Sequence, residues 1–296
     1  MSAAAAGGIA WETIRALDAH VHLATAEWVE DSMGPYLPSV EAYFRRPLRV
    51  MSLEEMVSQY RQQGVAGILL AWDAERNTRR PPLRNERVAE ICRTFPDVFL
   101  GFGSVDPGRP DALQRLDALP ALGLRGLKLH PTMQGFDPLD ERFGPFFARA
   151  ADLGLRLLVH TGTSGVGARE PGGQGLRLDL AQPIRLDALA ARHPAMPILL
   201  AHVGWPWHLE SLAMALHKRN VFLDISGWRY RYLPDEILRE MKGRLQDQVL
   251  FGTDFPMFSL DRQLDEFQQL GLPAEISRKI LVDNARSFLG LGDGSV

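Results

Sequence analysis

Two histidines lie close together near the start of the chain, in the segment LDAHVHL (17–23). On a β-strand, residues two positions apart point to the same face of the sheet, so His20 and His22 can project side by side. Imidazole is a common ligand of zinc and of other transition metals. The spacing is therefore compatible with a metal site, and equally with a strand end whose histidines meet solvent or make ordinary hydrogen bonds.

Further residues that can bind metals or transfer protons stand at the ends of later apolar segments. These segment-ending residues are Lys128, His130, His160, His202 and Asp254. In a barrel of parallel strands, the carboxyl ends of all strands meet at one mouth, where the active sites of such barrels lie. The shared position therefore predicts one site that gathers these side chains. The three other histidines lie in helices or loops and are assigned no chemistry.

Short apolar runs alternate with helical patterns along the whole chain. The runs occupy residues 16–23, 65–72, 98–105, 124–130, 155–161, 196–202, 220–226 and 248–254. Continuous runs of Val, Leu, Ile or Phe are typical of strands buried on both faces of a parallel sheet. The helix candidates lie at 52–64, 84–95, 110–122, 138–153, 183–193, 206–218, 234–244 and 260–270. The first of them opens with Ser52 and Glu55 at capping-box spacing and ends at Gly64.

Eight strands alternating with eight helices are the count of an α/β fold of the (β/α)8, or TIM, barrel type. An open doubly wound sheet alternates in the same way, but no G-x-G-x-x-G follows the first run, which weakens a dinucleotide-binding sheet. We therefore predict a single barrel over residues 14–291, preceded by a flexible N-terminus at 1–13. Long loops follow the first strand (24–50) and the fifth (162–182), where they can act as lids. The pattern of residues 275–291 predicts one or two helices that complete the barrel.

The composition of the chain excludes several classes of protein. It has 296 residues, of which 46% are hydrophobic and 23% charged, as in a soluble globular enzyme with a sizeable core. The net charge is −3, so the chain lacks the excess of basic residues that is typical of nucleic-acid-binding proteins. Cys92 is the single cysteine, which excludes internal disulfides and thiolate clusters and fits a reducing cytosol. Without a persuasive secretory signal or an apolar run of about 20 residues, we expect a cytoplasmic protein that does not enter membranes.

The motifs of the chain resemble those of the amidohydrolase superfamily over nearly the whole length. The motifs that carry the resemblance are DAHVH, GLKLHP, LVHTG, LAHVGWPW, DISGW, LFGTDFP and NARSFLGL. They look most like the branch that contains aminocarboxymuconate-semialdehyde decarboxylase, γ-resorcylate decarboxylase and pyrone-dicarboxylate lactonase. The run PGGQGLRLDLAQP and the DISGW motif further resemble a subgroup labelled 4-hydroxyphenyl-β-ketoacyl-CoA hydrolase.

This resemblance implies one divalent metal ion, Zn²⁺ with Mn²⁺ as the alternative, held by His20, His22, His160 and Asp254. It implies that His202 ligates a second metal or contacts the reacting water or the substrate. A metal in such an open site lowers the pKa of water and polarises a carbonyl group. Asp254 suits a further role as the general base, because a carboxylate beside that water can accept its proton.

Two residues of the KLHP segment have open roles. In some two-metal members of the superfamily, a carboxylated lysine at the end of the fourth strand bridges the ions, and Lys128 resembles that pattern. The one-metal branch does not use this bridge, so Lys128 can instead be an ammonium that reaches a substrate carboxylate or Asp254. His130 is a candidate contact to the substrate or a second metal, or it stabilises the turn before Pro131.

The substrate is expected to be a small molecule, anionic or aromatic, bound by residues after strands six and seven. Trp205, Trp228 and Tyr230 can form walls for a flat ligand, and Arg229 can pair with a carboxylate. The alternative for these aromatic residues is packing between helices or burial in a contact between two copies of the chain, a homodimer.

Three functions follow from this pattern. The first is a metal-dependent hydrolase, in which metal-bound water attacks an ester, thioester, lactone, amide or activated C–C bond. The second is a metal-dependent decarboxylase of an aromatic or muconate-type acid, and the third is a non-catalytic metal-binding protein. A complete ligand set disfavours the third, and the DISGW and glycine-loop resemblance favours the hydrolase.

Overall fold

Eight parallel β-strands form one sheet in the computed structural model of the protein, which describes residues 8–291. Each strand pairs with the next along the chain, in the order β1 to β8. The strands are β1 (Ala16–Val21), β2 (Val65–Leu70), β3 (Phe99–Ser104), β4 (Gly126–Leu129), β5 (Arg156–Val159), β6 (Ile198–Leu200), β7 (Val221–Asp224) and β8 (Val249–Leu250). All eight lie within the apolar runs from which strands are predicted.

Helices surround this sheet. The α-helices are α1 (Leu37–Phe44), α2 (Leu53–Gln63), α3 (Glu75–Thr78), α4 (Asn85–Thr94), α5 (Ala112–Ala118), α6 (Pro131–Gln134), α7 (Gly144–Asp152), α8 (Asp187–Arg192), α9 (His208–His217), α10 (Asp235–Lys242), α11 (Leu260–Gln269), α12 (Ala274–Arg278) and α13 (Asn284–Phe288). The predicted capping of α2 is confirmed, because the Ser52 hydroxyl accepts a hydrogen bond from the Glu55 N–H and Gly64 ends the helix at φ +65°.

Backbone hydrogen bonds from the segment after β8 to β1 close the sheet into a barrel. The Ala19 N–H donates to the Phe251 carbonyl at 3.0 Å, and the Asp254 N–H donates to the His20 carbonyl at 3.0 Å. The His22 N–H donates to the carbonyl of Phe255 at 2.8 Å. The closure places the metal-ligand candidates of the first and eighth strands side by side and confirms the (β/α)8 fold.

Alternate residues of the strands build two apolar clusters. One set faces the helices, and the other packs in the barrel interior together with Phe288 and Leu289, which belong to α13 and the residue after it. Ile9, with 5% of its surface exposed, joins the interior cluster. Residues 1–7, the first part of the predicted flexible N-terminus, lie outside the described residues.

The insertion after β1 differs from the loop expected there. Its weak periodicity predicts no regular element, yet it contains a π-helical turn at Glu27–Ser32, a short 3-10 turn and α1. The helices form because they pack against the barrel mouth, which stabilises short helices that periodicity alone does not indicate. Among the helices of residues 8–291, none is long and apolar enough to cross a membrane.

The two long insertions meet above the barrel mouth. The Gly167 N–H donates to the hydroxyl of Ser39 at 2.8 Å, and the Gln174 side-chain amide donates to the Pro35 carbonyl at 3.3 Å. Gly165 packs so closely on Tyr43 that an added Cβ would lie 3.0 Å from its ring. The insertions therefore form one cover over the strand ends.

Candidate metal centre and its cavity

A cavity lies beneath this cover, and the space in it that the centre of a water molecule can reach is about 70 Å³. Its lining consists of His20, His22, Trp28, Met33, Val40, Tyr43, Phe44, Trp72, Lys128, His130, His160, Thr163, Ser164, Gly165, Val166, His202, Gly227, Trp228, Asp254 and Met257. All the strand-end residues expected at the mouth are in this set. These strand-end residues form the inner end of the cavity, and most of the other lining side chains are aromatic or apolar.

Two histidines and one carboxylate converge at the inner end. Asp254 Oδ1 lies 3.4 Å from Nε2 of His22 and 3.6 Å from Nε2 of His20. The three residues are buried, and their candidate ligand atoms lie within 4.8 Å of one another. We call these three candidate ligands the metal-ligand group. Nitrogen and oxygen donors at such separations suit a divalent transition metal.

Two of the site residues hold a strained backbone. Asp254 has φ +64° and His202 has φ +60°, in the left-handed region that residues with a Cβ rarely adopt. Such conformations persist where the surrounding structure imposes them, and they cluster at functional sites. Here the conformation turns each side chain into the mouth directly after its strand.

A buried carboxylate on β7 orients the first of the candidate ligand histidines. Asp224 Oδ2 lies 3.1 Å from Nδ1 of His20, and both residues are fully buried. A carboxylate accepts hydrogen bonds, so Nδ1 carries the proton and Nε2 presents its lone pair to the cavity. The other carboxylate oxygen accepts from the N–H groups of His202 and Ser226, each at 3.0 Å.

Ser226 and Gly227 fix the ring of His202 from the same loop. The Ser226 hydroxyl lies 2.9 Å from Nδ1 of His202 and 3.2 Å from Nδ1 of His20. A Cβ added at Gly227 would lie 2.6 Å from Nδ1 of His202, so only glycine fits against the ring. Ring orientation at the mouth thus depends on β7 and the loop after it.

Replacement of Asp224 by asparagine is expected to weaken metal binding about 10- to 100-fold, the usual effect of losing a partner that orients a ligand histidine. The amide keeps the size of the side chain but is a weaker acceptor for the His20 Nδ1–H. Competition with a chelator measures the affinity. Asp235→Asn, which changes an exposed carboxylate at the start of α10, is the matched control. Equal affinities in the two variants would contradict the orienting role.

His160 and His130 stack on each other at the edge of the metal-ligand group. Their ring centroids are 3.7 Å apart and their planes differ by 10°. His160 Nε2 is buried and has no hydrogen-bond partner among residues 8–291. Buried polar atoms are usually hydrogen-bonded, so an unpartnered nitrogen here is a candidate to bind a metal ion or a substrate. The Met133 N–H donates to Nδ1 of His130 at 3.3 Å, so a neutral His130 ring carries its proton on Nε2 and can donate into the cavity.

Burial dominates the electrostatics of the inner end. Burial, aided by the Lys128 charge, lowers the pKa of His20, His22 and His130 well below the usual histidine value, and burial followed by His130 does so for His160. Neutral imidazoles are the form that binds metals. Burial also raises the pKa of the Asp254 carboxyl to about 6, although His202 and Lys128 oppose this change.

Lys128 contacts one of the candidate ligand atoms directly. Its Nζ lies 2.9 Å from Nε2 of His20, and its side chain is 1% exposed. Burial lowers the pKa of this ammonium group to about 8, while the carboxylates of Asp254 and Asp224 act in the opposite direction. Lys128 therefore lies beside the metal-ligand group, a position that is compatible with both of the roles left open for it.

Aromatic rings enclose His22. The Trp28 ring stacks on it with centroids 4.5 Å apart and an interplanar angle of 7°, and Trp72 contacts it edge-on at 5.6 Å. Both tryptophans are nearly inaccessible to solvent. The insertion after β1, which carries Trp28, thus excludes water from one side of the ligand group.

The residues proposed for substrate recognition after β6 and β7 separate into different environments. Trp228 lines the cavity, and Trp205 packs on it at 5.0 Å with 38% of its own surface exposed. Tyr230 is fully buried in the core and donates its hydroxyl proton to the Gly252 carbonyl. Arg229 lies outside the cavity lining, and its guanidinium pairs with Glu266 on α11 at 2.5 Å.

Several residues of the site are not singled out by the sequence analysis. They are the orienting pair Asp224 and Ser226 and the wall residues Trp28, Trp72, Thr163, Ser164 and Met257. Asp224 and Ser226 carry a usable signal, because they stand two positions apart at the end of an apolar run, as His20 and His22 do. The wall residues carry no such signal. Trp28, Trp72 and Met257 have side chains that a core also needs, and Thr163 and Ser164 lie in a loop, where small polar residues are common.

A (β/α)8 barrel that gathers histidines and an aspartate at its strand ends defines a TIM-barrel enzyme with a metal centre. The model of the amidohydrolase family matches residues 17–291. The chain therefore belongs to the amidohydrolase family.

Solved structures share this fold. An uncharacterised TIM-barrel protein from Bordetella bronchiseptica is 22% identical with a TM-score of 0.80, and the match covers 93% of this chain and 98% of that one. A dihydroxybenzoic acid decarboxylase from Polaromonas sp. JS666, with bound manganese and the inhibitor 2-nitroresorcinol, is 20% identical with a TM-score of 0.68, covering 95% and 98%. A putative 2-pyrone-4,6-dicarboxylic acid hydrolase from Pseudomonas putida is 20% identical with a TM-score of 0.64, covering 94% and 98%.

Proposed function

We propose that this chain is a metal-dependent hydrolase that cleaves an ester, thioester, lactone, amide or activated C–C bond in a small aromatic or carboxylated substrate. The observation that carries the proposal is the convergence of His20, His22 and Asp254 at the closed end of a cavity with aromatic walls. Buried donors of this kind, beneath a cover and beside a space for a small molecule, support a catalytic rather than a purely structural site.

The donor set fits one divalent ion. His20, His22 and Asp254 would hold it, and the unpartnered Nε2 of His160 is the fourth candidate. When bound, the ion would act as a Lewis acid that polarises a substrate carbonyl or carboxyl group and acidifies water. Zn²⁺ is the proposed ion and Mn²⁺ the alternative, because histidine and aspartate serve both, and manganese is bound in the decarboxylase from Polaromonas.

The chain itself supplies a base and hydrogen-bond donors. Asp254 is the carboxylate beside the Nε2 atoms of His20 and His22, at 3.6 and 3.4 Å, and it can accept the proton of the attacking water. Lys128 Nζ and the Nε2–H of His130 can donate to the substrate oxygen on which negative charge develops. The cover and the rings around His22 exclude bulk water, which strengthens these electrostatic interactions.

Decarboxylation is the second candidate. The buried ammonium of Lys128 lies where it could contact a substrate carboxylate, a group that the substrate of a decarboxylase must have and that of a hydrolase need not. Three of the solved structures with this fold are named as decarboxylases of dihydroxybenzoic acids, one of them in complex with 2,6-dihydroxybenzoate. Hydrolysis and decarboxylation use the same ligand residues, so the products must distinguish them.

Metal analysis coupled to a substrate panel tests the proposal. We expect about one tightly bound divalent ion per chain, because the two candidate ligand groups, His20 with His22 and Asp254 and His20 with His202 and Asp224, share His20. Aryl carboxylates, lactones and acyl-CoA thioesters are then assayed for release of acid or of CO₂. Acid release that stops with a chelator supports the hydrolase, and CO₂ release supports the decarboxylase.

Three other outcomes change the assignment. About two ions per chain would indicate that Lys128 is carboxylated and bridges them. Preparations without metal, together with turnover that a chelator does not affect, would refute the metal-dependent mechanism. A metal-loaded protein that turns over none of these substrate classes would favour a metal-binding protein without catalysis.

A further inference from the structure

The cavity distributes its charges unevenly. Apart from the histidines, Lys128 and Asp254 are the only ionisable acidic or basic residues in the cavity lining that the structure describes. Both contact the candidate ligand histidines at the inner end. Trp28 and Trp72 pack on His22 at the inner end. The other apolar or aromatic lining residues form the rest of the cavity; they are Met33, Val40, Tyr43, Phe44, Val166, Trp228 and Met257. We call this space the outer chamber.

The polar groups of the outer chamber are not suited to a second anion. Ser164 is 7% exposed, and its hydroxyl already accepts a hydrogen bond from the Val166 N–H at 3.1 Å. Thr163 adds one neutral hydroxyl to the lining. A carboxylate against such walls would lose the part of its hydration shell that the walls displace, and it would gain no charged partner.

The arginine next to the chamber is not available as that partner. Arg229 follows Trp228 in the chain, but Glu266 holds its guanidinium with Nε and Nη2 at 2.7 and 2.5 Å from the same carboxylate oxygen. Glu266 is itself buried and also accepts from the Tyr230 N–H at 3.1 Å. Within residues 8–291, no arginine lines the cavity.

We infer that the substrate of this site carries its single ionic or reacting group at one end and an uncharged aromatic body at the other. The reacting group meets the ligand histidines, Lys128 and Asp254, and the uncharged body fills the outer chamber. The inference rests on the proposed function and goes beyond it, because it selects monocarboxylates and neutral aryl esters or lactones against dicarboxylates.

Two acids of equal shape test the inference without any need for turnover. In 4-nitrobenzoate, a neutral nitro group replaces one of the two carboxylates of terephthalate and has nearly the same size. We expect isothermal titration calorimetry on the metal-loaded protein to show that 4-nitrobenzoate binds at least about tenfold more tightly than terephthalate. This ratio corresponds to a difference of about 1.4 kcal/mol in binding free energy. The reason is that terephthalate must place its second charge in the outer chamber.

A charge added to the chamber wall should reverse this preference. Val166 is half-buried on the insertion after β5, so an arginine there can enter the chamber. Val166→Arg is expected to raise the affinity for terephthalate relative to 4-nitrobenzoate at least about tenfold. Val166→Met, a long neutral side chain, controls for size and should keep the wild-type order.

Three results would overturn the inference: equal or tighter binding of terephthalate by the wild type, no binding of either acid, or an unchanged ratio in Val166→Arg. These failures differ from failure of the proposed function. A hydrolase or decarboxylase that accepts dicarboxylates would still hold metal and turn over substrate, whereas a protein without the proposed activity would lack metal-dependent turnover whatever the binding ratio.

Discussion

Replacement of His22 by alanine is expected to release most of the metal and to lower kcat/KM by at least about a thousandfold. The change removes one of the two imidazoles that lie beside Asp254, and no neighbouring side chain can replace it, because Trp28 and Trp72 fill the space around the ring. Elemental analysis and steady-state kinetics measure the two effects. His217→Ala, which removes an exposed histidine at the end of α9, is the control.

The loss of the ring also removes packing against Trp28, so folding must be monitored in parallel. Circular dichroism should show an unchanged fold. If the alanine variant does not fold, His22→Gln keeps more of the side-chain volume while it removes the imidazole donor. A folded variant of either kind with wild-type metal content and turnover would exclude His22 as a ligand.

Replacement of Asp254 by asparagine is expected to lower kcat by about a thousandfold or more while KM changes little. The amide keeps the shape of the side chain but has neither the negative charge nor the basicity to take a proton from water. Some metal should remain, because His20 and His22 are unchanged. Steady-state kinetics and metal analysis on the same preparation separate the loss of the base from the loss of the ion.

The matched control for this variant is Asp265→Asn, an exposed carboxylate on α11. It should leave kcat, KM and metal content unchanged. If Asp254→Asn had the kcat of the wild type, Asp254 would not be the base. If it lost all its metal, the residue would act chiefly as a ligand, and the kinetic effect would follow from the missing ion.

Local patterns along the chain were sufficient for the fold. Each strand is a continuous apolar run because both of its faces are buried, one against helices and one inside the barrel. The capping residues of α2 likewise act on their own helix terminus. Features of this kind depend on neighbours within a few positions, so the sequence predicts them directly.

The insertion after β1 was not predictable in the same way. Leu37–Phe44 is helical, although the sequence around it has weak periodicity. Short helices of this length are marginal by themselves, and packing on the barrel mouth and on the second insertion stabilises them. The cover of the cavity is thus a product of tertiary contacts.

The sequence by itself determined the eight-stranded barrel and the chemistry of its mouth. The parallel order of the strands places all strand-end residues at one end of the barrel, and the types of these residues set the chemistry there; they include His20, His22, His160, His202 and Asp254. Tertiary structure alone decided which side chains are free to act there. Asp224 reaches His20 across 204 positions, and Glu266 engages Arg229 across 37. Such pairings arise only when the sheet closes and α11 packs on the turn after β7. Hydrogen bonds and ion pairs depend on distance in space, which local spacing does not encode.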